Sequence, residues 1–206
     1  MRELVPGIHH WTTFRDTIGA PVSSYWIEAV GVVIDPMVPE EGFGAFRQAR
    51  IGPQQVVLTT GLHDRHAERF AEEFSIPIRA PKEAAERIGD SFGFDPYTDD
   101  REFAPGVRAV HIGVLCDDEY ALHITEPEGA IVIADAVHSY GDTLSFFTDA
   151  LLGDDPQDVK RGLRQQLSTL LQRDFEHLLF THGDPILCHG KRDLREFVKS
   201  PVEERL

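Results

Sequence analysis

Two histidines, His63 and His66, stand three residues apart in the segment LTTGLHDRHAERF. The segment follows the apolar run QVVL, and a spacing of three at the start of a helix lets both imidazoles point in similar directions. Two further polar residues come directly after apolar runs, because Asp135 ends AIVIAD and His182 follows LLFT. Imidazole nitrogens together with a carboxylate oxygen suit zinc, and also iron or manganese. These four residues are therefore the candidate metal ligands.

The candidate ligands are expected to meet because they lie at the ends of predicted strands. The runs QQVVLTT, GAIVIADAV and HLLFTHGDP are strand candidates. Neighbouring strands that run in the same direction place their carboxyl ends at one edge of a sheet, where loops are free to carry function. Each residue alone has an ordinary explanation, since an aspartate after a strand is commonly a turn residue. Their combination, in this order, predicts a metal site.

The other elements predict two sheets packed together, with helices outside, in one domain of residues 1–206. Further strands are predicted in VSSYWIEAVGVVIDP, IPIRAP, GVRAVHIGVL and EYALHIT. Helices are predicted from Asp64 onward and in GAFRQAR, PKEAAERIG, DPQDVKRGLRQQLSTLLQRDF and KRDLREFVKS. The segment DSFGFDPYTDD is rich in Asp, Gly and Pro, and is predicted to be a surface loop.

Over most of its length the chain resembles the metallo-β-lactamase-fold superfamily. SSYWI and VGVVIDP look like the two opening strands that end in the family's aspartate, here Asp35. VVLTTGLHDRHAERF looks like the signature strand and its HxHxDH loop. EPEGAIVIADAV looks like the hairpin that ends in the metal-bridging aspartate, and HLLFTHGDPI looks like the strand that ends in the last histidine ligand. The resemblance implies a four-layer αββα sandwich with a metal site at one edge. It also implies hydrolysis of an ester, thioester, amide or phosphate.

The HxHxDH motif is degenerate in this chain. Over GLHDRH its first histidine is replaced by Gly61 and its aspartate by Arg65. The family histidine before the EYALHI strand has no clear equivalent, and Cys116 and His138 are the two residues that could replace a missing ligand. By the resemblance, the first metal position would keep only His63.

The second metal position would keep His66, Asp135 and His182 by the same resemblance. Two histidines and one carboxylate are a workable set for one divalent ion with open positions for water, so we expect one ion rather than two. The first leading hypothesis is a hydrolase of a small-molecule substrate with one ion, zinc by preference. The second is a non-catalytic domain of the same fold that has lost its metal and binds a small molecule or another protein.

Arg65 separates these two hypotheses. A guanidinium cannot coordinate an ion, and two unit charges about 4 Å apart interact by about 4 kcal/mol at an effective dielectric near 20. Arg65 could therefore pair with Asp135 and replace the ion, or hold a substrate carboxylate or phosphate. Asp64 is a weak candidate for a catalytic base, and a helix N-cap is its ordinary role.

Composition limits the partners of the chain. It carries 35 acidic and 20 basic residues, a formal net charge of −15, which disfavours binding to nucleic acid. No apolar run approaches the roughly 20 residues that span a bilayer, so no membrane partner is expected. The segment MRELVPGIHHW lacks the apolar core of a signal peptide, and a cytoplasmic location is expected. The sequence leaves open whether the chain forms a homo-oligomer.

Overall fold

The structure is a computed structural model that describes residues 1–141 and 143–200. Asp142 and residues 201–206 of the predicted domain lie outside the described residues. None of the described helices is long and apolar enough to cross a membrane.

Seven strands form the first sheet, and they are paired in chain order. They are β1 (Arg2–Val5), β2 (Ile8–Arg15), β3 (Ala20–Ile27), β4 (Val32–Ile34), β5 (Gln55–Val57), β6 (Ile78–Pro81) and β7 (Asp95–Tyr97). The first four strands are antiparallel, and β4 to β7 are parallel. The helices of this half are α1 (Gly44–Gln48), α2 (Ala67–Phe74) and α3 (Ala85–Ile88). The parallel pairing brings the carboxyl ends of β4 and β5 to the same edge.

The second half of the chain forms a five-stranded sheet in the order β14-β11-β10-β9-β8. The strands are β8 (Glu102–Ala104), β9 (Val107–His111), β10 (Tyr120–Ile124), β11 (Ala130–Ile133) and β14 (His177–Phe180), and a separate pair is formed by β12 (His138–Tyr140) and β13 (Thr143–Ser145). The helices are α4 (Pro156–Leu170) and α5 (Gly190–Lys199). Strands β11 and β14 are parallel, with Ile133 opposite Phe180, so the segments that follow them leave the sheet side by side.

Three apolar layers stack the elements into a sandwich. Side chains between the two sheets include Ile8, Tyr25, Ile34, Leu122, Val132 and Leu179. The outer face of the first sheet packs on its helices through Phe46, Phe70, Ala84 and Ile88. The outer face of the second sheet packs on α4 and α5 through Leu163, Leu167, Leu170 and Leu194. Helix, sheet, sheet and helix therefore form the predicted αββα sandwich.

Hydrogen bonds join the two sheets near the edge where the candidate ligands lie. The hydroxyl of Tyr25 donates to the carbonyl of Phe180 at 2.7 Å and accepts from the amide of the same residue at 2.9 Å. The amide of Ser23 donates to the carbonyl of Thr181 at 2.9 Å. These bonds fix the end of β14 against β3, and with it the loop that carries His182.

The structure corrects two predictions of local structure. The predicted loop DSFGFDPYTDD contains β7, which has Pro96 at its centre and is the last strand of its sheet. A proline is tolerated at an edge because no neighbouring strand requires its missing N–H. The helix predicted from Asp64 begins only at Ala67, after a 3-10 turn at Gly61–His63.

Candidate metal centre

Three of the four predicted ligands meet at the carboxyl edge of the two sheets. Nε2 of His63 lies 3.4 Å from Oδ1 of Asp135, and Nε2 of His182 lies 3.2 Å from the same oxygen. One ligand atom from each of the three residues lies within 4.8 Å of the other two. We call this group the His63–Asp135–His182 cluster.

Both sheets contribute to the cluster through the loops that follow their strands. His63 ends the 3-10 turn that follows β5 of the first sheet. Asp135 follows β11 and His182 follows β14, which are parallel neighbours in the second sheet. The cluster therefore forms where the two sheets face each other.

Asp35, which follows β4, fixes the orientation of His63. Its fully buried carboxylate accepts from the amide of Thr59 at 2.8 Å and from the Thr59 hydroxyl at 2.5 Å, and its Oδ2 lies 2.9 Å from Nδ1 of His63. Since a carboxylate only accepts hydrogen bonds, Nδ1 carries the proton in this contact. The Nε2 of a neutral His63 is then an acceptor, and it faces the carboxylate of Asp135. The sequence contained the signal for Asp35, at the end of VGVVIDP, although it is not among the predicted ligands.

His66 lies outside the cluster. Its Nδ1 accepts a hydrogen bond from the backbone amide of Val38 at 2.9 Å, which ties the ring to the segment after β4. The turn between the two histidines explains the difference, because Arg65 has a left-handed backbone conformation with φ of 42°. The chain is therefore not helical from His63 to His66, and the similar direction expected from their spacing is not realised.

The predicted contact of Arg65 with Asp135 is not formed. Nη1 of Arg65 donates instead to the backbone carbonyls of Ser23 at 2.6 Å and Asp35 at 2.8 Å. Its Nε and Nη2 are buried and have no hydrogen-bond partner among the described residues. Burial lowers the pKa of the Arg65 guanidinium, against the opposing effects of Asp35 and Asp135. Arg65 therefore holds β3 to the segment after β4 and places a positive charge near the cluster.

Asp64, the weak candidate for a base, lies beside Arg15 at the end of β2. Its Oδ1 accepts from the amide of Arg65 at 2.6 Å and lies 3.3 Å from Nη2 of Arg15, and nearly half of its side chain is exposed. Helix α2 has no side-chain cap, so the predicted N-cap role is also not observed.

The place of the family's first histidine leaves no room for a side chain. A Cβ added to Gly61 would lie 2.9 Å from the Cβ of Ala84, 3.0 Å from Oδ2 of Asp118 and 3.1 Å from Cδ of Arg87. Asp118 is buried there and accepts from the amide of Gly61 at 2.8 Å. Protein atoms therefore fill the position at which the resemblance places a ligand.

Cys116 and His138, the two substitutes considered for a missing ligand, are not part of the cluster. Burial first, and then the charges of Asp118 and Glu119, raise the pKa of the Cys116 thiol to about 11. The thiolate that a metal requires is therefore disfavoured there in the metal-free protein. The ring of His138 packs against the rings of Tyr140 and Phe147, at centroid distances of 4.8 Å from each.

Solved structures of low sequence identity share this architecture. The chain is similar to a metallo-beta-lactamase from Pontibacter korlensis, with a TM-score of 0.70 and 13% identity over 97% of this chain and 98% of that chain. It is similar to a metallo-beta-lactamase from Hirschia baltica, with a TM-score of 0.64 and 11% identity over 98% of both chains. A metallo-beta-lactamase family protein from Thermus thermophilus gives a TM-score of 0.64 and 14% identity over 95% of this chain and 79% of that chain. The chain has the metallo-β-lactamase fold. No protein-family model and no curated protein sequence matches it.

The metallo-β-lactamase fold implies a divalent metal, and the geometry of the cluster fits one. Oδ1 of Asp135 is buried and has no hydrogen-bond partner among the described residues, although two imidazole nitrogens lie within 3.4 Å of it. Ligand atoms about 2.0–2.1 Å from a tetrahedral ion stand about 3.3 Å apart, which matches these separations. Two carboxylates, one guanidinium and a divalent ion sum to one positive charge, so Arg65 does not exclude a single ion.

Without an ion, the same contacts favour a proton on His63. Burial and the charge of Arg65 lower the pKa of the His63 imidazole, but Asp135 and Asp35 outweigh them and the pKa is raised. Burial raises the pKa of Asp135, yet the opposite effects of His63 and His182 are larger and the pKa is lowered. In the absence of an ion, a positive charge on His63 beside the ionised Asp135 is therefore favoured.

Sequence reasoning missed Asp118 and Glu119, two buried acids next to the loops that carry the His63–Asp135–His182 cluster. Oε1 of Glu119 accepts from the amides of Asp135 at 2.8 Å and Ala136 at 2.5 Å. Burial first, and then the charge of Asp135, raise the pKa of Glu119 to about 8. In the sequence these acids belong to CDDEYALHI, where consecutive acids before a strand are typical of an exposed turn.

Proposed function

We propose that the protein is a metal-dependent hydrolase that holds one divalent ion through His63, Asp135 and His182. The observation that carries the proposal is the approach of two Nε2 atoms to one buried carboxylate oxygen, at 3.4 and 3.2 Å. This set keeps three of the four ligands predicted from the sequence and lacks His66, so His63 completes the one-ion set in which the resemblance placed His66. Two imidazoles and a carboxylate favour zinc, with iron or manganese as alternatives.

The chain's own residues prepare the site for this role. Asp35 keeps the proton of His63 on Nδ1 and leaves Nε2 free as a ligand, in the manner of carboxylates that support metal-bound histidines. A divalent ion with such ligands supplies Lewis acidity, which activates water and polarises a carbonyl or phosphoryl oxygen. The proposed substrate is a small molecule with an ester, thioester, amide or phosphate bond.

The test is metal content, measured on purified protein after zinc loading and removal of free ions. We expect one zinc ion per chain in the wild type, and loss of it in His63→Ala and His182→Ala. His66→Ala is the matched control, because His66 lies on the same loop but accepts from Val38, so this variant should keep its zinc. A wild-type protein that takes up no divalent ion would rule the hydrolase out.

A non-catalytic domain of the same fold is the second candidate. It is favoured by the raised pKa of His63, since a protonated imidazole between Asp35 and Asp135 neutralises the cluster without any ion. In the version of this candidate predicted from the sequence, Arg65 contacts Asp135, and the structure does not have that contact. Zinc-free wild-type protein with His63 protonated at neutral pH, read from its imidazole NMR signals, would support this candidate.

A further inference from the structure

Two neighbouring acids, Asp118 and Glu119, are buried immediately before β10. Their exposed fractions are 3% and 1%. Burial of a carboxylate is costly unless hydrogen bonds or opposite charges compensate for the lost water. Asp118 finds this compensation in the His63 loop, and Glu119 finds part of it in the Asp135 loop, because its Oε1 accepts hydrogen bonds there while its Oε2 has no partner among the described residues.

Asp118 binds the loop that carries His63. Its Oδ2 accepts from the amide of Gly61 at 2.8 Å and from the hydroxyl of Thr60 at 3.1 Å, and it lies 3.4 Å from Nε of Arg87. The hydroxyl of Thr60 also accepts from the amide of Leu62 at 3.3 Å. Asp118 therefore fixes the start of the 3-10 turn that ends at His63.

Glu119 binds the loop that carries Asp135. Its Oε1 accepts from two consecutive amides, those of Asp135 and Ala136, at the point where the chain leaves β11. Two short hydrogen bonds from consecutive amides to one oxygen restrain the backbone whether the carboxyl group is ionised or protonated. Glu119 therefore fixes the backbone from which the Asp135 carboxylate extends.

The two acids link these loops across the two sheets. They are adjacent in sequence, so one peptide unit of about 3.8 Å separates their Cα atoms. The next residue, Tyr120, donates its amide to the carbonyl of Thr59 at 2.9 Å, which adds a third tie to the His63 loop. The spacing between the loops of His63 and Asp135 is thus set by a short and rigid stretch of chain.

These are also the segments in which the metal motif is degenerate. The resemblance places a histidine ligand at Gly61 and another shortly before β10, and neither is present. The carboxylate of Asp118 now contacts Gly61, and a side chain at Gly61 would come within 3.0 Å of it. In this chain the segment of Gly61 and the segment before β10 are therefore joined by hydrogen bonds. By the resemblance, two ligands to a first metal ion would join the same segments.

We propose that Asp118 and Glu119 are positioning residues that hold the His63 and Asp135 loops at the separation that one ion requires, in place of a second ion. This inference rests on the proposed function for its metal. In this role the two acids act only through the loops that they bind, and they contact neither the ion nor the substrate. It also predicts that the protein binds one divalent ion per chain and not two.

The test compares alanine with conservative variants at both positions. Zinc affinity is measured by competition with a chromophoric chelator, and the geometry at the metal by the visible spectrum of cobalt-substituted protein. Asp118→Ala and Glu119→Ala should bind zinc about 10- to 100-fold more weakly, with a changed cobalt spectrum. Glu119→Gln should bind within a few-fold of wild type, because its amide oxygen still accepts from the two N–H groups.

Leu167→Ala in α4 is the control for lost stability. Leu167 is fully buried among residues of the second sheet and its helices, so its truncation lowers stability while leaving the hydrogen bonds of Asp118 and Glu119 in place. This variant should keep wild-type zinc affinity and spectrum. Should Glu119→Ala fail to fold, Glu119→Asp replaces it, since a side chain shorter by one methylene cannot reach both amides.

Equal zinc affinity in wild type, Asp118→Ala and the Glu119 variants would overturn the proposal, and so would two ions per wild-type chain. Amide hydrogen exchange in metal-free protein tests the role of the two acids independently of the proposed function. If wild type binds no zinc, the hydrolase fails, and the link is judged alone. Faster exchange at Asp135 and Ala136 in Glu119→Ala than in Leu167→Ala then supports the link, and unchanged exchange refutes it.

Discussion

Replacing Asp35 by asparagine should weaken zinc binding without removing a ligand. The three groups that face the Asp35 carboxylate are all donors: the amide and hydroxyl of Thr59 and Nδ1 of His63. Asparagine is nearly isosteric but carries two N–H donors in place of one oxygen, so one donor must face another. His63 relieves this conflict by moving its proton from Nδ1 to Nε2. Its Nε2 is then no longer a ligand.

The magnitude follows from the hydrogen bond that is lost when His63 returns to the coordinating tautomer. A hydrogen bond to a charged group contributes about 1.5–3 kcal/mol, and about 1.4 kcal/mol corresponds to a factor of ten in affinity. Zinc affinity should therefore fall about 10- to 100-fold in Asp35→Asn. The assay is chelator competition, and the tautomer is read from the nitrogen chemical shifts of the imidazole.

The control is Asp99→Asn, which removes the same charge at an exposed position. Asp99 also accepts from a backbone amide, that of His111 at 2.8 Å, but it has no contact with the cluster. Its zinc affinity should match that of wild type. An unchanged affinity in Asp35→Asn, or an equal loss in both variants, would refute the role given to Asp35.

Three further predictions concern stability. Gly61→Ala should destabilise the protein by about 1–3 kcal/mol in urea unfolding, because the new Cβ would lie 2.9 Å from a neighbouring methyl carbon, and an unchanged midpoint would contradict this packing. The metal-free protein should lose thermal stability as the pH rises from about 7 to 9, because the pKa values of His63 and Glu119 are raised in the folded state, to about 8 for Glu119. Excess zinc should weaken or reverse this loss of stability with pH, because zinc competes with the proton of His63. A metal-free protein that gains stability over the same pH range would show that the directions of these pKa values are wrong. Tyr25→Phe should cost about 1–3 kcal/mol in urea unfolding, since it leaves the amide and carbonyl of Phe180 without their inter-sheet partner, and a loss below that range would show the link to be weak.

The sequence predicted the architecture and most of the cluster because both depend on strong local patterns. Apolar runs ending in Asp135 and His182 indicated two strands whose carboxyl ends carry polar residues. The register of β11 and β14 places these ends side by side, as expected for parallel neighbours. The residues that follow such strands can be located without knowing any side-chain geometry.

The histidine pair could not be resolved from its spacing alone. A separation of three implies similar directions only if the intervening residues are helical, and Arg65 is not, with φ of 42°. Positive φ is rare for a residue with a Cβ, and no pattern in HDRH announces it. Asp118 and Glu119 were missed for a related reason, since the burial of an acid depends on distant amides that local sequence does not reveal.

Each half of the chain builds one complete sheet, from residues 2–97 for the first and 102–180 for the second. The ligands are divided in the same way, with His63 on the first half and Asp135 and His182 on the second. The complete ligand set consequently exists only when the two sheets are packed together, so an ion held by all three residues would bind only the assembled sandwich. Each tenfold rise in free ion above the dissociation constant would then contribute about 1.4 kcal/mol to keeping the two halves together.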